Sequence, residues 1–133
     1  AVKNPSLFQE WIKKYGTERI ILGADAKDRK IAVGGWEETT SEDLIPFIKD
    51  YVSKGISFVI CTDVAKDGLL QGPSVELYQE ILQEIPGLKL IASGGVSSLK
   101  DLEELEKIGV YGAIVGKAYY EGRVTLEELA SFV

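Results

Sequence analysis

The chain has 133 residues, of which 45% are hydrophobic and 27% charged, and its formal net charge is −6. This length and balance predict a single globular domain, and the negative charge argues against a nucleic-acid-binding surface. No stretch is apolar enough to span a membrane, so we expect no membrane partner. The single cysteine excludes an internal disulfide and favours a reducing, cytoplasmic location. Because histidine is absent, acid–base chemistry would rest on Asp, Glu, Lys, Tyr or Cys, and a structural zinc site is not expected.

Apolar runs and helical periodicity alternate along the chain. A first helix is predicted over residues 6–15, where Leu7, Trp11 and Ile12 share one face and we interpret Trp11 as a core residue. Strands are predicted at 19–25, 57–63, 88–93 and 111–115, and further helices at about 42–53, 73–84, 99–108, 118–120 and 126–132. Ser97-Ser98 and Thr125 are predicted to cap two of these helices. Strands separated by helices indicate an α/β fold with a parallel sheet and right-handed crossovers.

A longer polar segment separates the first strand from its helix. Residues 31–33 fit a small returning strand, which Gly34-Gly35-Trp36 closes. The Thr39-Thr40-Ser41-Glu42 run supplies candidate caps for the helix that follows. Two interpretations stay open for Trp36, which either packs locally under its loop or stacks on a planar ligand.

Polar side chains gather where the predicted strands end. Asp25 ends the first strand, Thr62 lies near the end of the second, and Asp67 follows in the next loop. In sheets built of strand–helix units, this edge carries the chemistry. The residues alone leave two interpretations of Asp25, a carboxylate facing a cleft or a loop acid that caps a turn, and Asp67-Gly68 equally fits an ordinary turn.

The lone cysteine is predicted to be structural. Side chains alternate along a strand, so Cys61 lies on the face opposite Thr62 and packs against helices. The chain offers no histidine to activate this thiol as a nucleophile.

Glycine-bearing turns follow the last two predicted strands, Gly94-Gly95 after Ser93 and Gly116-Lys117 after the fourth strand. Glycine lets backbone N–H groups approach an anion, and a helix N-terminus adds partial positive charge. One such turn is usually no more than a turn. Two on consecutive strands favour a phosphate site, which in (βα)₈ barrels follows the last two strands.

Five motifs occur in the order found in one known family, and the resemblance they carry extends over nearly the whole chain. They are Leu22-Gly23-Ala24-Asp25, Gly35-Trp36, Thr62-Asp63-Val64-Ala65-Lys66-Asp67-Gly68, Ala92-Ser93-Gly94-Gly95-Val96-Ser97-Ser98 and Val115-Gly116-Lys117-Ala118-Tyr119-Tyr120-Glu121-Gly122. With them, the chain resembles the C-terminal half of the histidine-biosynthesis isomerase that acts on phosphoribosylformimino-aminoimidazole carboxamide ribotide. The sister family, the cyclase subunit of imidazole glycerol phosphate synthase, shares the strand-end Asp, the Asp-Gly loop and the Gly-Gly turn. Gly35-Trp36 and the Tyr119–Gly122 stretch favour the isomerase.

The resemblance implies that residues 1–133 are strands five to eight of a TIM (βα)₈ barrel, a half barrel without its N-terminal half. It implies an Amadori rearrangement, the aldose–ketose isomerisation of a bis-phosphorylated ribotide, without metal or cofactor. Asp25 would be the general acid that helps to open the ribose ring, Thr62 and Asp67 would orient the substrate, and Trp36 would stack on it. One substrate phosphate would be held by Ser93, Gly94, Gly95, Gly116 and Lys117.

The family's general base and its other phosphate site belong to the half that is absent here, so we expect the chain alone to be inactive. Its strands are apolar on both faces, with Ile21 and Ile60 on one and Leu22 and Val59 on the other. We therefore expect the chain to pair with its N-terminal half or with a copy of itself. A phosphate-binding half barrel without catalysis and a different phosphosugar barrel enzyme are the remaining alternatives.

Overall fold

The computed structural model describes residues 1–132, except for the side chains at positions 38, 39, 41 and 42. The helices are α1 (Pro5–Tyr15), α2 (Leu44–Ser53), α3 (Val75–Glu84), α4 (Leu99–Ile108), α5 (Lys117–Tyr120) and α6 (Leu126–Ala130). The strands are β1 (Leu22–Lys27), β2 (Lys30–Val33), β3 (Glu38–Asp43), β4 (Phe58–Asp63), β5 (Lys89–Ser93) and β6 (Gly112–Ala113). None of these helices combines the length and the apolar character needed to cross a lipid bilayer.

The strands form one mostly parallel sheet in the order β3-β2-β1-β4-β5-β6. The four strands predicted from the sequence are β1, β4, β5 and β6, and each pairs in parallel with its neighbour. Helices connect them along the chain, so the predicted α/β class with a parallel sheet is confirmed. The register sets Asp25 beside Thr62, and Thr62 beside Ser93.

An antiparallel hairpin extends the sheet beyond β1. The returning strand predicted at 31–33 is confirmed as β2. The prediction that residues 39–42 cap a helix is wrong, because they belong to β3, which pairs with β2 and sets Thr39 opposite Ala32. Threonine favours extended backbone, and pairing satisfies backbone groups that a cap would have left to water. The helix therefore begins only at Leu44.

The core lies between one face of the sheet and the helices. Leu22, Val59 and Leu90 follow one another across β1, β4 and β5, and each is fully buried. Helix α1 contributes Ile12, but the interpretation of Trp11 as a core residue is wrong, because 44% of Trp11 is exposed. Only the stripe of α1 that contains Ile12 reaches this core, and Trp11 lies outside it.

The opposite face of the parallel strands leaves aliphatic side chains in contact with solvent. Ile60 and Ile91 are cross-strand partners on this face, and both are only half-buried. Ile21 and Ile114, which flank β1 and β6, are 44% and 46% exposed. We call this surface the open face, and its members are Ile21, Ile60, Ile91 and Ile114.

Two helix starts predicted from the sequence are confirmed by their hydrogen bonds. The hydroxyl of Ser98 accepts a hydrogen bond from the Asp101 N–H at 3.3 Å, and the hydroxyl of Thr125 accepts one from the Glu128 N–H at 3.2 Å. In both cases the acidic side chain accepts a hydrogen bond from the backbone N–H of its cap, which completes a capping box.

Candidate active site

Three polar side chains form a row across the carboxyl ends of the parallel strands. Asp25, Thr62 and Ser93 are cross-strand neighbours on β1, β4 and β5, on the same side of the sheet as the open face. Adjacent strands lie about 4.8 Å apart, so these side chains are within reach of one small ligand. Thr62 and Ser93 are buried, whereas Asp25 is half-exposed. Strand β1 continues to Lys27, so Asp25 lies two residues before its end and not at the last position.

Asp25 is bonded to the predicted stacking residue. The indole Nε1 of Trp36 donates a hydrogen bond to Oδ2 of Asp25 at 2.8 Å. The backbone of Trp36 has φ +76°, a left-handed conformation that costs a bulky residue about 1–3 kcal/mol and must be held by its surroundings. The ring is 42% exposed, so it is not buried beneath its own loop. The hydrogen bond therefore fixes Trp36 beside the carboxylate and leaves part of the ring accessible.

The other predicted site residues line a single cavity of about 220 Å³. We call it the glycine cavity. Its lining includes Asp67, Gly68, Ser93, Gly94, Gly95, Gly116 and Lys117. The structure thus brings together every residue that the sequence assigned to a phosphate, with Asp67 beside them. Asp25, Thr62 and Trp36 lie outside this lining, and Ser93 connects the cavity to the polar row.

Close backbone packing explains why the first of the two turns contains two glycines. A Cβ at Gly95 would lie 2.3 Å from the carbonyl oxygen of Gly72, and one at Gly94 would lie 3.0 Å from that of Asp63. Both glycines also have positive φ, +96° at Gly94 and +81° at Gly95. The N–H of Gly72 donates to the carbonyl of Gly95 at 3.0 Å. The turn after β5 and the loop after β4 therefore interlock through their backbones.

Lys117 connects the turn after β6 to the loop after β4. Its Nζ donates a hydrogen bond to the carbonyl of Gly68 at 3.0 Å and lies 3.8 Å from the carboxylate of Glu121. An ammonium group has three N–H donors, so a bond to Gly68 leaves others that can face an anion. Lys117 thus holds the Asp67-Gly68 segment and still presents a positive charge to the cavity.

The prediction that Cys61 packs in the core is confirmed. The thiol is fully buried, and this burial, with smaller contributions from Asp63 and Asp25, raises its pKa to about 12. A thiol with this pKa stays protonated at neutral pH, where a nucleophile would need to be a thiolate. Cys61 therefore has no place in the chemistry of the site.

Two supporting residues were missed by the sequence analysis. The buried hydroxyl of Tyr78 donates to the carbonyl of Ser93 at 2.7 Å, just before the glycine turn, and burial raises the pKa of this phenol. The second is Gly72, whose backbone packs against Gly95 and bonds to it. Helical periodicity places Tyr78 on the buried side of α3, but only the fold shows which carbonyl it reaches.

A larger cavity, of about 490 Å³, lies elsewhere, and none of the predicted catalytic or phosphate residues lines it. It lies beside the hairpin turn and the start of α3, where Arg29, Asp63, Lys66 and Ser74 contribute to its wall. We favour the glycine cavity as the site because Ser93 of the polar row and both glycine turns line it. Among the side chains that the structure describes, no three from His, Cys, Asp and Glu are placed to bind a metal together.

Comparison with known proteins agrees with the resemblance found in the sequence. The relatives that the chain matches include enzymes with the name 1-(5-phosphoribosyl)-5-((5-phosphoribosylamino)methylideneamino)imidazole-4-carboxamide isomerase. The one from Flavobacterium johnsoniae is 60% identical over 133 residues, which are 100% of this chain and 55% of that protein. The one from Parabacteroides distasonis is 61% identical over 132 residues, 99% of this chain and 55% of that protein. The one from Bacteroides fragilis is 59% identical over 133 residues, 100% of this chain and 56% of that protein.

The chain thus spans about half the length of the curated relatives it matches. The sequence model of a family described as "Histidine biosynthesis protein" matches residues 1–125. This match extends from α1 to the residue that caps α6, and so includes the polar row and the whole glycine cavity. The chain therefore belongs to the histidine biosynthesis protein family.

Proposed function

We propose that this chain is one half of an isomerase that converts a bis-phosphorylated aminoimidazole carboxamide ribotide by an Amadori rearrangement. The observation that carries the proposal is the row of Asp25, Thr62 and Ser93, which leads from a carboxyl group into the glycine cavity. A phosphorylated sugar needs both features, an acid for its ring and an anion site for its phosphate. Relatives that are 60% and 61% identical to the chain are named as isomerases of such a ribotide, which favours this reaction over that of the sister cyclase.

Asp25 acts as the general acid in this proposal. An Amadori rearrangement starts by opening the ribose ring, and the ring oxygen must gain a proton as its bond to C1 breaks. A protonated Asp25 supplies that proton, and general acid catalysis of this kind contributes about 10²–10⁴-fold to rate. Its half-exposed position beside Trp36 suits a group that must meet a substrate and then be reprotonated.

Thr62 and Asp67 orient the sugar, and the glycine cavity anchors one phosphate. Backbone N–H groups of the turns at Gly94-Gly95 and Gly116, with the Lys117 ammonium, supply the positive potential there. Fixing the phosphate end sets the distance between the sugar ring and Asp25, so binding energy is used for positioning. Trp36 stacks on the substrate once its loop closes.

The chain corresponds, in this proposal, to strands five to eight of a (βα)₈ barrel. The open face supports this assignment, because helices cover the other face and four isoleucines remain in contact with solvent. Burying one such side chain contributes roughly 1.5–3 kcal/mol, so a second sheet layer that closes a barrel would stabilise the fold considerably. The other half also supplies the general base and the second phosphate site that the resemblance requires.

Without that half, the chain is expected to self-associate through the open face. The measurement is light scattering of the purified chain over a range of concentrations. An Ile114→Lys substitution places a charge on this face and should weaken association. Leu126 is 63% exposed on α6 and is not a member of the open face, so a matched Leu126→Lys substitution should leave association unchanged. A strictly monomeric chain at all concentrations would contradict the unpaired half barrel.

The function itself is tested by turnover. We expect the chain alone to show no isomerase activity, because it lacks the general base. We call the joined barrel a protein in which the N-terminal half of the Flavobacterium johnsoniae relative precedes Ala1. This joined barrel is expected to convert the ribotide. Full turnover by the isolated chain would contradict the division of the active site between two halves, and a folded but inactive joined barrel would contradict the isomerase assignment.

A further inference from the structure

The carboxylate of Asp63 lies at the base of the loop that carries Asp67, and it has no role in the chemistry described so far. We propose that Asp63 is a positioning residue, which clasps the two ends of this loop and so fixes Asp67 at the glycine cavity. The role of Asp67 in this inference rests on the proposed isomerase function. The hydrogen bonds that form the clasp do not depend on that function.

The side chain of Asp63 bonds to both ends of the loop. Its Oδ1 accepts a hydrogen bond from the backbone N–H of Ala65 at 3.1 Å, at the beginning of the loop. Its Oδ2 accepts one from the hydroxyl of Ser74, the last residue before α3. One carboxylate therefore connects the end of β4 to the start of α3, although Asp63 and Ser74 lie 11 positions apart in the chain.

The backbone of Asp63 transmits this position to Asp67. The carbonyl of Asp63 accepts hydrogen bonds from the N–H groups of Lys66 at 3.0 Å and of Asp67 at 3.1 Å. The backbone of Asp67 is thus bonded directly to the last residue of β4, and Asp67 also lines the glycine cavity. A displacement at Asp63 would therefore move the Asp67 carboxylate relative to a bound substrate.

The Ser74 side chain takes part in the clasp and not in a helix cap. Ser74 is the N-cap residue of α3, a position where a serine hydroxyl commonly accepts a hydrogen bond from the first turn of the helix. Here the side chain makes no capping bond, and its hydroxyl donates a hydrogen bond to Asp63. The sequence predicted that this helix begins at about Pro73, and the structure begins it at Val75, after the clasp.

Asp63 acts as a hydrogen-bond acceptor in this arrangement and not as an ion-pair partner. Arg29 contributes to the same cavity wall as Asp63, but it pairs with Glu80. The described bonds of the Asp63 side chain go to a backbone N–H and a hydroxyl. An amide can accept from Ala65 and donate to Ser74, so asparagine should preserve the clasp, whereas alanine removes it.

The test compares Asp63→Ala and Asp63→Asn in the joined barrel. Misplacing a group by about 1 Å can cost on the order of 10²-fold in rate, so Asp63→Ala is expected to lower kcat/KM by roughly 10–100-fold, and Asp63→Asn to restore most of it. Glu128→Ala is the matched control, because Glu128 accepts a hydrogen bond from the Thr125 N–H at a helix start far along the chain. It should lower the thermal midpoint without changing kcat/KM.

Hydrogen exchange on the isolated chain separates this inference from the proposed function. The amides of Ala65 and Asp67 are expected to exchange faster in Asp63→Ala than in the wild type, and at the wild-type rate in Asp63→Asn and Glu128→Ala. Unchanged exchange in Asp63→Ala, wild-type kcat/KM in that variant, or an Asp63→Asn variant as impaired as Asp63→Ala would each overturn the inference. An inactive wild-type joined barrel would instead count against the isomerase function, while the exchange rates still decide the clasp.

Discussion

Replacing Asp25 by Asn in the joined barrel is expected to lower kcat by about 10²–10⁴-fold, the usual contribution of a general acid. Asparagine has the same shape, and its carbonyl can still accept the hydrogen bond that the Trp36 indole donates to Asp25. It cannot deliver a proton to the ring oxygen. KM should change little, because the phosphate contacts in the glycine cavity are untouched. The measurement is steady-state turnover of the ribotide beside the thermal midpoint.

Two further variants make this result specific. Asp28 lies in the exposed turn between β1 and β2 and contributes to neither the polar row nor the glycine cavity, so Asp28→Asn should retain full activity. Trp36→Phe keeps an aromatic ring but removes the N–H donor, so its effect should be smaller than that of Asp25→Asn. If Asp25→Asn kept a kcat close to that of Asp28→Asn, another group would have to be the acid.

Replacing Gly95 by Ala in the chain is expected to abolish a functional glycine cavity. The added Cβ would lie 2.3 Å from the carbonyl oxygen of Gly72, and the backbone has φ +81°. Overpacking typically costs about 1–3 kcal/mol and a left-handed non-glycine residue about 1–2 kcal/mol. Relief of the clash must move the turn away from Gly72, so the affinity for a phosphorylated ligand should fall on the order of 10-fold or more.

Gly87 provides the matched control for this substitution. It has φ +84°, almost the same conformation, but a Cβ there would meet no atom within 4 Å. Gly87→Ala should therefore lose only the left-handed contribution to the free energy of unfolding, about 1–2 kcal/mol, and bind ligand normally. Equal loss of binding in both variants would show that general destabilisation, and not the contact with Gly72, governs the cavity.

Features that depend on neighbouring residues in the chain were predictable from the sequence. The limits of α4 follow from the capping residue Ser98 before it and Gly109 after it, and the structure places the helix at 99–108 as predicted. The polar row could also be anticipated, because residues at the carboxyl ends of parallel strands meet at one edge. Asp25, Thr62 and Ser93 need only the correct strand order to become neighbours.

Features that depend on contacts across the fold were not predictable. Residues 39–42 carry good capping residues, and only pairing with β2 makes them a strand. Ser74 begins a helix by sequence pattern, yet its hydroxyl is taken by Asp63. Trp11 fits the apolar stripe of α1, but the sheet reaches only the part of that helix around Ile12. In each case the local preference contributes a fraction of a kcal/mol to about 1 kcal/mol to the free energy of folding. A single tertiary contact can contribute more.

The same distinction applies to the candidate site. The residue types of the two glycine turns pointed to an anion, but the packing of Gly95 against Gly72 and the hydrogen bond from Lys117 to Gly68 appear only in the fold. The hydrogen bond between Trp36 and Asp25 likewise depends on how the hairpin loop returns to β1. The sequence thus indicated the residues of the site, whereas the contacts that fix them depend on the fold.

The proposed phosphate site in the glycine cavity is tested most directly by a calorimetric titration of the wild-type chain. The ligand is the bis-phosphorylated product of the proposed isomerisation, and inorganic phosphate is the comparison ligand. We expect saturable binding of the product, tighter than that of phosphate, which Gly87→Ala preserves and Gly95→Ala loses. Such a result would mean that this half of the barrel already forms its phosphate site. Absence of any binding by the wild-type chain would contradict that claim and would assign the site to the complete barrel alone.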